Sequence, residues 1–131
     1  MLPTHRLIGL SEQGLLVNRI LLDLRGRLAD ATDPFEQSVI RLNMAVALAR
    51  VVDWAAALEE LQRVKLPEQP GVGNGTVQYL IGVAAESLGN RSEAEAAFKA
   101  AAGSDSLLTE NGPPVKELAE AKLLELQKGA R

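Results

Sequence analysis

The side chains that could carry out catalysis are few in this chain. Histidine, a frequent general acid or base, occurs once, at His5. Cysteine is absent, which excludes a thiol nucleophile and a thiolate metal site. Ser38, Ser87 and Ser92 lack the glycine-flanked turn that exposes a nucleophilic serine. We therefore predict that the protein is not an enzyme.

Two further patterns are typical of ligand binding but are incomplete here. Glu59 and Glu60 are adjacent on a predicted helix, so their carboxylates diverge instead of sharing a metal ion. The glycine-rich segment 71–75 lacks the Lys-Ser/Thr pair and the preceding strand of a phosphate-binding loop. We predict no metal and no cofactor, and we interpret 65–75 as a connecting loop rich in proline and glycine.

The composition favours helices packed through small and aliphatic side chains. Hydrophobic residues make up 47% of the chain but aromatic residues only 3%, so alanine and leucine must fill the core. A net charge of -3 gives no electrostatic basis for binding nucleic acid. The sequence has neither an apolar run that would span a membrane nor a secretory signal pattern, and we expect a cytoplasmic location.

An amphipathic helix is predicted at 11–30, with Ser11 as its N-cap. Leucine and isoleucine recur at every fourth position, which indicates one apolar side that needs cover. We expect this helix to pack on the next hairpin as an N-terminal cap, while residues 1–10 are ambiguous. The predicted stripe comprises Leu16, Ile20, Leu24 and Leu28, with Leu21 beside it.

Capping residues divide the next part of the chain into a helical hairpin. Asp33, followed by Pro34 at the first helical position, begins a helix that runs to about Arg50. Asp53 begins a second helix that runs to about Val64. The first of these helices is apolar on more than one side, which predicts a central position.

A second hairpin is predicted over 79–102. Gly89 suits a left-handed residue at the end of a helix, and Ser92 with Glu95 has the spacing of a capping box. Gly82 inside a helix indicates that another helix approaches closely. The opposing side is predicted to present Ala94, Ala97, Phe98 and Ala101.

A final helix is predicted at 113–128, after the stop pattern of residues 111–114. It resembles the first helix of another hairpin that has no partner, and we expect it to act as a C-terminal cap. The residues expected to point outward are Glu117, Glu120, Lys122 and Lys128.

The two hairpins match each other at a constant offset of 37 residues, since Ala57 corresponds to Ala94 and Leu61 to Phe98. Residues 37–106 resemble the tetratricopeptide repeat, a helix-turn-helix unit of about 34 residues. The residues that carry the resemblance are Ile81-Gly82, Gly89, Ala94-x-x-x-Phe98 and Ala101, while Gln78, Ala85 and Ser106 depart from the pattern.

The resemblance implies an all-α single domain over 1–131, built as a right-handed superhelix of antiparallel hairpins with about six helices. Its parts would be an N-terminal cap at 11–30, repeats at 33–64 and 76–102, and a C-terminal cap at 113–128. In this family the first helix of each repeat lines a groove that holds a partner's peptide or helix.

The resemblance therefore implies a non-catalytic protein-binding module whose partner is unidentified. The chaperone-binding members clamp a carboxylate with Lys and Asn, but Leu42 and Val46 occupy those places, and Asn43 and Arg50 alone do not rebuild the clamp. The predicted partner-binding residues are Val39, Leu42, Asn43, Val46, Arg50, Tyr79, Val83 and Glu86.

Three alternatives remain open at the level of sequence. Val39, Leu42 and Val46 could instead be core residues covered by the N-terminal helix. The chain could also be a structural domain that forms homo-oligomers through an exposed helix. It could, finally, be a regulatory fragment of a larger protein.

Overall fold

The computed structural model describes residues 12–129, and all regular structure in that range is helical, which confirms the all-α class. Each helix packs against the next one along the chain, and the fourth also contacts the sixth. The single histidine His5 and the predicted N-cap Ser11 lie outside the described residues. The six helices are α1 Glu12–Asp30, α2 Pro34–Arg50, α3 Trp54–Leu61, α4 Asn74–Ser87, α5 Arg91–Ala102 and α6 Val115–Lys128.

The two hairpins α2–α3 and α4–α5 have the same backbone turn, displaced by 37 residues. The backbone N–H of Asp53 donates to the carbonyl of Leu48 at 3.0 Å, and that of Asn90 donates to the carbonyl of Ala85 at 2.9 Å. The residue before each of these donors is left-handed, with φ of 60° at Val52 and 85° at the predicted Gly89. The offset found in the sequence therefore extends to the conformation of the turn.

Close packing of α4 against α5 depends on Gly82. A Cβ atom added there would lie 2.5 Å from Cε1 of Phe98, far inside van der Waals contact. Phe98 is fully buried, and its ring centroid lies 5.7 Å from that of Tyr79. The predicted alanines of α5 are also buried, which confirms that small residues bring these two helices together.

The N-terminal helix packs through a stripe that differs from the predicted one at its start. Leu16 is exposed, whereas Val17 and Leu21 are buried in the same core cluster as Ile40 and Met44 of α2. On a helix of 3.6 residues per turn, residues spaced strictly four apart rotate around the helix axis by about 40° per step. A long series at that spacing therefore leaves the side of the helix that contacts α2. The observed stripe alternates between spacings of four and three residues.

The predicted starts of α4 and α5 are wrong, because contacts in the preceding loop and turn set where each helix begins. α4 begins at Asn74, inside the predicted loop, since Asn74 N–H donates to the carbonyl of Pro67 at 2.9 Å. α5 has Asn90 as its N-cap, so Ser92 lies within the first turn and forms no capping box. The left-handed turn at Gly89 has already directed the chain into α5 at that point.

The other boundaries differ only slightly from the predicted ones. α3 ends at Leu61 instead of about Val64, because the backbone N–H of Val64 bonds to Leu61 in a tighter three-residue turn. α6 begins at Val115, after the predicted proline pair. Asp33 and Asp53 both cap their helices through side-chain oxygens, as predicted.

Replacing Gly82 by alanine is expected to lower the free energy of unfolding by about 1–3 kcal/mol, because the added methyl group overlaps Phe98. Gly26→Ala is the matched control, since Gly26 lies in α1 with nothing within 4 Å of an added Cβ. The control is expected to raise the free energy of unfolding by about 1 kcal/mol. Urea unfolding followed by circular dichroism measures both, and equal shifts would contradict the close approach at Gly82.

Candidate functional site

Four of the predicted partner-binding residues lie along one exposed side of α2. Val39, Asn43, Val46 and Arg50 follow one another at spacings of four, three and four residues and all are exposed. Val39 is 36% exposed and Val46 is 39% exposed, so the N-terminal helix does not cover them. The alternative in which Val39, Leu42 and Val46 are core residues is therefore wrong for Val39 and Val46, whereas Leu42 is buried.

Two other residues of α2 change the predicted set. Leu42 is only 7% exposed and belongs to the core cluster, so its assignment as a freely exposed binding residue is corrected. Phe35, which is not among the predicted binding residues, is 52% exposed and lies on the same side as Val39. Its position in the first turn, just after Pro34, gave no periodic pattern that would have marked it.

A groove runs beside α2 and has the 66–72 segment as its second wall. We call it the α2 groove, and its volume is about 480 Å³. Its apolar residues come from both walls, while Asn43 and Glu110 contribute polar groups. Its lining comprises Phe35, Val39, Leu42, Asn43, Leu66, Gln69, Pro70, Gly71, Val72 and Glu110.

The second wall of the groove is held by hydrogen bonds to the connection between α5 and α6. The backbone N–H of Leu107 donates to the carbonyl of Gly71 at 2.7 Å. The hydroxyl of Ser106 donates to the backbone carbonyl of Gln69 at 3.0 Å. Ser104 Oγ lies 2.8 and 2.9 Å from the two carboxylate oxygens of Glu68. We call this contact between segments 68–76 and 104–107 the loop junction.

The glycine-rich segment 71–75 belongs to the loop junction, where Gly73 and Gly75 are buried and Asn74 is exposed. Thr76 Oγ1 accepts from the Gly73 N–H at 3.2 Å and donates to the Leu107 carbonyl at 2.6 Å. A Cβ atom on Gly75 would lie 1.9 Å from Ser104 Oγ, so only glycine fits there. Within the described residues, no buried side-chain nitrogen or oxygen lacks a hydrogen-bond partner.

The loop junction was not predicted from the sequence. Thr76, Ser104 and Ser106 are small polar residues that are common in exposed loops, yet all three are buried. The available indication was their combination with closely spaced glycines, which permits backbone segments to approach each other.

The remaining predicted binding residues lie on α4 under the C-terminal helix. Tyr79 and Val83 are partly buried and pack against a cluster that includes Val115 and Ala119 of α6. The Glu86 carboxylate accepts a hydrogen bond from Lys122 Nζ at 3.1 Å, so the prediction that Lys122 points outward is wrong. α6 thus occupies the side of α4 where the sequence placed a partner.

The contact between α4 and α6 raises the pKa values of Tyr79 and Lys122. Burial raises the pKa of the Tyr79 hydroxyl above its ordinary value of 10.0, and the nearby Lys122 charge only partly offsets this. Burial alone would lower the pKa of Lys122, but its hydrogen bond to Glu86 and the charge of that carboxylate raise it above 10.5. Both groups therefore keep their neutral-pH protonation state more firmly in the folded protein.

Residues 12–129 contain no group of three histidine, cysteine, aspartate or glutamate side chains placed to hold a metal ion. In the same part of the chain, no helix combines the length and the apolar character needed to cross a lipid bilayer. Protein-family models, curated proteins and solved structures give no significant match to the chain. The resemblance of residues 37–106 to the tetratricopeptide repeat stays a prediction.

The folded protein is expected to lose stability as the pH rises above about 10, because a raised folded-state pKa stabilises the fold only while the proton is bound. Tyr79 is the single tyrosine, so tyrosinate absorbance reports its pKa directly. We expect a midpoint above 10.0, and a further rise in Lys122→Met, where the lowering effect of the cation is lost.

Urea unfolding at pH 8 and at pH 11 measures the accompanying change in stability. Tyr79→Phe removes one of the two titrating groups and is expected to reduce the difference between the two pH values. A tyrosine that titrates at or below its ordinary pKa would show that α6 does not cover Tyr79.

Proposed function

We propose that this chain is a non-catalytic module that binds a peptide or short helix of a protein partner in the α2 groove. The observation that carries the proposal is the pair of exposed apolar side chains, Phe35 and Val39, beside a concave surface floored by Leu42. Exposed apolar groups gathered at a groove are typical of binding sites, because burying them against a partner is favourable.

The dimensions of the surface suit a linear segment of protein. The exposed apolar stripe extends along α2 from Phe35 through Val39 to Val46, which is about 16 Å at 1.5 Å per residue. That length matches about three turns of a partner helix or about five residues of extended chain. Amphipathic helices commonly bind in grooves of this kind through side chains one turn apart.

The polar groups of the groove are too few for recognition of a small polar molecule. The Gln69 side-chain amide already donates to the carbonyl of Val72 at 2.8 Å, which closes the turn of the second wall. Asn43 and Glu110 remain at the solvent-exposed margin. A ligand pocket normally directs several polar groups at its occupant, whereas this surface offers mainly apolar contact.

The resemblance to the tetratricopeptide repeat supports the same proposal, since that family binds peptides on the first helix of each repeat. In this chain α2 would act without α4, whose equivalent side packs against α6. The proposed binding residues are therefore Phe35, Val39, Asn43, Val46 and Arg50, with Leu42 beneath them.

The double substitution Phe35→Ser and Val39→Ser is expected to weaken peptide binding about tenfold or more, because both anchors lose apolar area. Peptides are first selected on the wild-type protein from a random displayed library, and their affinities are then measured by fluorescence anisotropy. Leu124→Ser is the matched control, since Leu124 is an exposed apolar residue on α6, away from the groove.

Circular dichroism and the urea midpoint of the double variant should stay close to those of the wild type, since both side chains are exposed. Selected peptides that bind the double variant and the wild type equally would contradict the proposal.

A second candidate function is homo-oligomerisation through the outer side of α1. Leu22 is 70% exposed, and Leu15 lies seven residues earlier, on the same side of the helix. Leu16 is also exposed. Two leucines at this spacing are typical of helix pairing, and a second copy of the chain would cover them.

Sedimentation over a range of concentrations tests this second candidate. A dimer formed through α1 is expected to dissociate in Leu22→Asp, because pairing would bury the new carboxylate against apolar groups. Leu124→Asp introduces the same charge on α6 and should leave the association unchanged. A wild-type protein that is monomeric at every concentration would exclude this function.

A further inference from the structure

A second depression lies at the N-terminal end of α2 and is lined by cations. We call it the basic pocket, and its volume is about 270 Å³. Ser38 is buried, whereas Arg63 and Lys65, in the segment that follows α3, are exposed. The lining comprises Pro34, Phe35, Gln37, Ser38, Arg41, Arg63 and Lys65.

Two of the three cations in the basic pocket are uncompensated. Arg41 donates to Glu60 at 2.9 Å, and both side chains are partly buried, so that charge is neutralised within the fold. Among the described residues, neither Arg63 nor Lys65 forms a side-chain ion pair. An exposed pair of cations without a carboxylate partner attracts an anionic group.

The basic pocket and the α2 groove are held in a fixed relation to each other. Phe35 lines both of them. The backbone N–H of Lys65 donates to Ser38 Oγ at 2.9 Å, which attaches this part of the chain to α2. Lys65 lines the basic pocket, whereas the next residue, Leu66, lines the groove. A single bound segment can therefore reach both sites across Phe35.

The two parts of the combined surface carry charges of opposite sign. Arg63 and Lys65 line the basic pocket, and Glu110 lines the α2 groove. An acidic side chain is attracted at the first and repelled at the second, so the combined surface favours a partner segment whose acidic residue lies at the basic pocket.

On the basis of the proposed function, we propose that the partner segment carries apolar side chains that bind the α2 groove and an acidic side chain, Asp or Glu, that binds Arg63 and Lys65 in the basic pocket. A carboxylate can accept two hydrogen bonds from one guanidinium group and also pair with an ammonium group. The apolar contacts supply most of the affinity, and the charge contact sets the register and direction.

The net charge of the protein makes this charge contact selective. The whole chain carries -3, so an acidic segment is repelled by the surface in general. Among the residues that line the α2 groove and the basic pocket, Arg63 and Lys65 are the cations without an ion pair, so an acidic residue placed against the groove itself gains no such contact. The expected recognition pattern is therefore an acidic side chain at a constant distance from an apolar pair.

Selection of C-terminally amidated peptides from a random library provides the test, because the amide removes the terminal carboxylate as a source of negative charge. Wild-type protein is expected to enrich peptides that combine apolar residues with Asp or Glu at one position. Their affinity should fall roughly tenfold at low ionic strength in the double variant Arg63→Glu, Lys65→Glu, and by a smaller factor at high salt.

The matched control is Arg25→Glu with Lys116→Glu, which changes the net charge equally at exposed positions on α1 and α6. This control should bind the selected peptides within about twofold of the wild type. A peptide with Lys in place of its acidic residue should bind the Arg63→Glu, Lys65→Glu protein better than the wild type. Recovery of binding when both charges are reversed identifies a direct charge contact, because a variant that had lost its fold would not bind the Lys peptide better.

The outcomes separate this inference from the proposed function. Peptides that require Phe35 and Val39 but show no acidic enrichment, or tolerate Arg63→Glu with Lys65→Glu, would overturn the inference and leave the groove as a binding site. The selected peptides are also compared in their amidated form and with a free C-terminal carboxylate. Binding that requires the free carboxylate would also overturn the inference. Selected peptides that are indifferent to Phe35→Ser with Val39→Ser would remove both proposals.

Discussion

The hydrogen bonds of the loop junction hold the second wall of the α2 groove, because they join the 68–76 segment to the connection between α5 and α6. Two bonds beside the junction lie at the starts of helices. The Asn74 N–H donates to the Pro67 carbonyl where α4 begins, and the Val115 N–H donates to the Ser106 carbonyl at 3.1 Å where α6 begins. Because Thr76, Ser104 and Ser106 are buried and need hydrogen-bond partners, the junction permits little variation in the path of either loop.

The two hairpins share a turn but differ in what covers their first helices. On α4, the side that carries Tyr79 and Val83 packs against α6, and the Glu86–Lys122 ion pair completes that contact. On α2, the residues 37 positions earlier are Leu42, which is buried, and Val46, which is exposed. Phe35 and Val39 of the same helix are also exposed. The first helix of one hairpin is therefore covered by α6, while that of the other keeps the exposed apolar side chains that the proposed function assigns to a partner.

In the proposed binding mode, apolar contact and charge have separable roles on the α2 surface. The exposed apolar side chains would favour any partner that covers them, whereas Arg63 and Lys65 would discriminate between partners by the position of a carboxylate. Arg41 contributes to neither role, because its charge is paired with Glu60. That ion pair joins α2 to α3. Specificity would therefore reside in residues that follow α3 instead of in the helical repeat itself.

The sequence by itself determined the helices, their caps at Asp33 and Asp53, the left-handed turn at Gly89 and the close approach at Gly82, because each depends on local residue types and spacing. It also predicted the side of α2 that carries Val39 and Val46. Only the tertiary structure decided that Leu42 is buried, that α6 covers Tyr79, and that Ser104 and Ser106 join distant loops. Those outcomes depend on contacts between residues far apart in the chain, which spacing along a single helix does not encode.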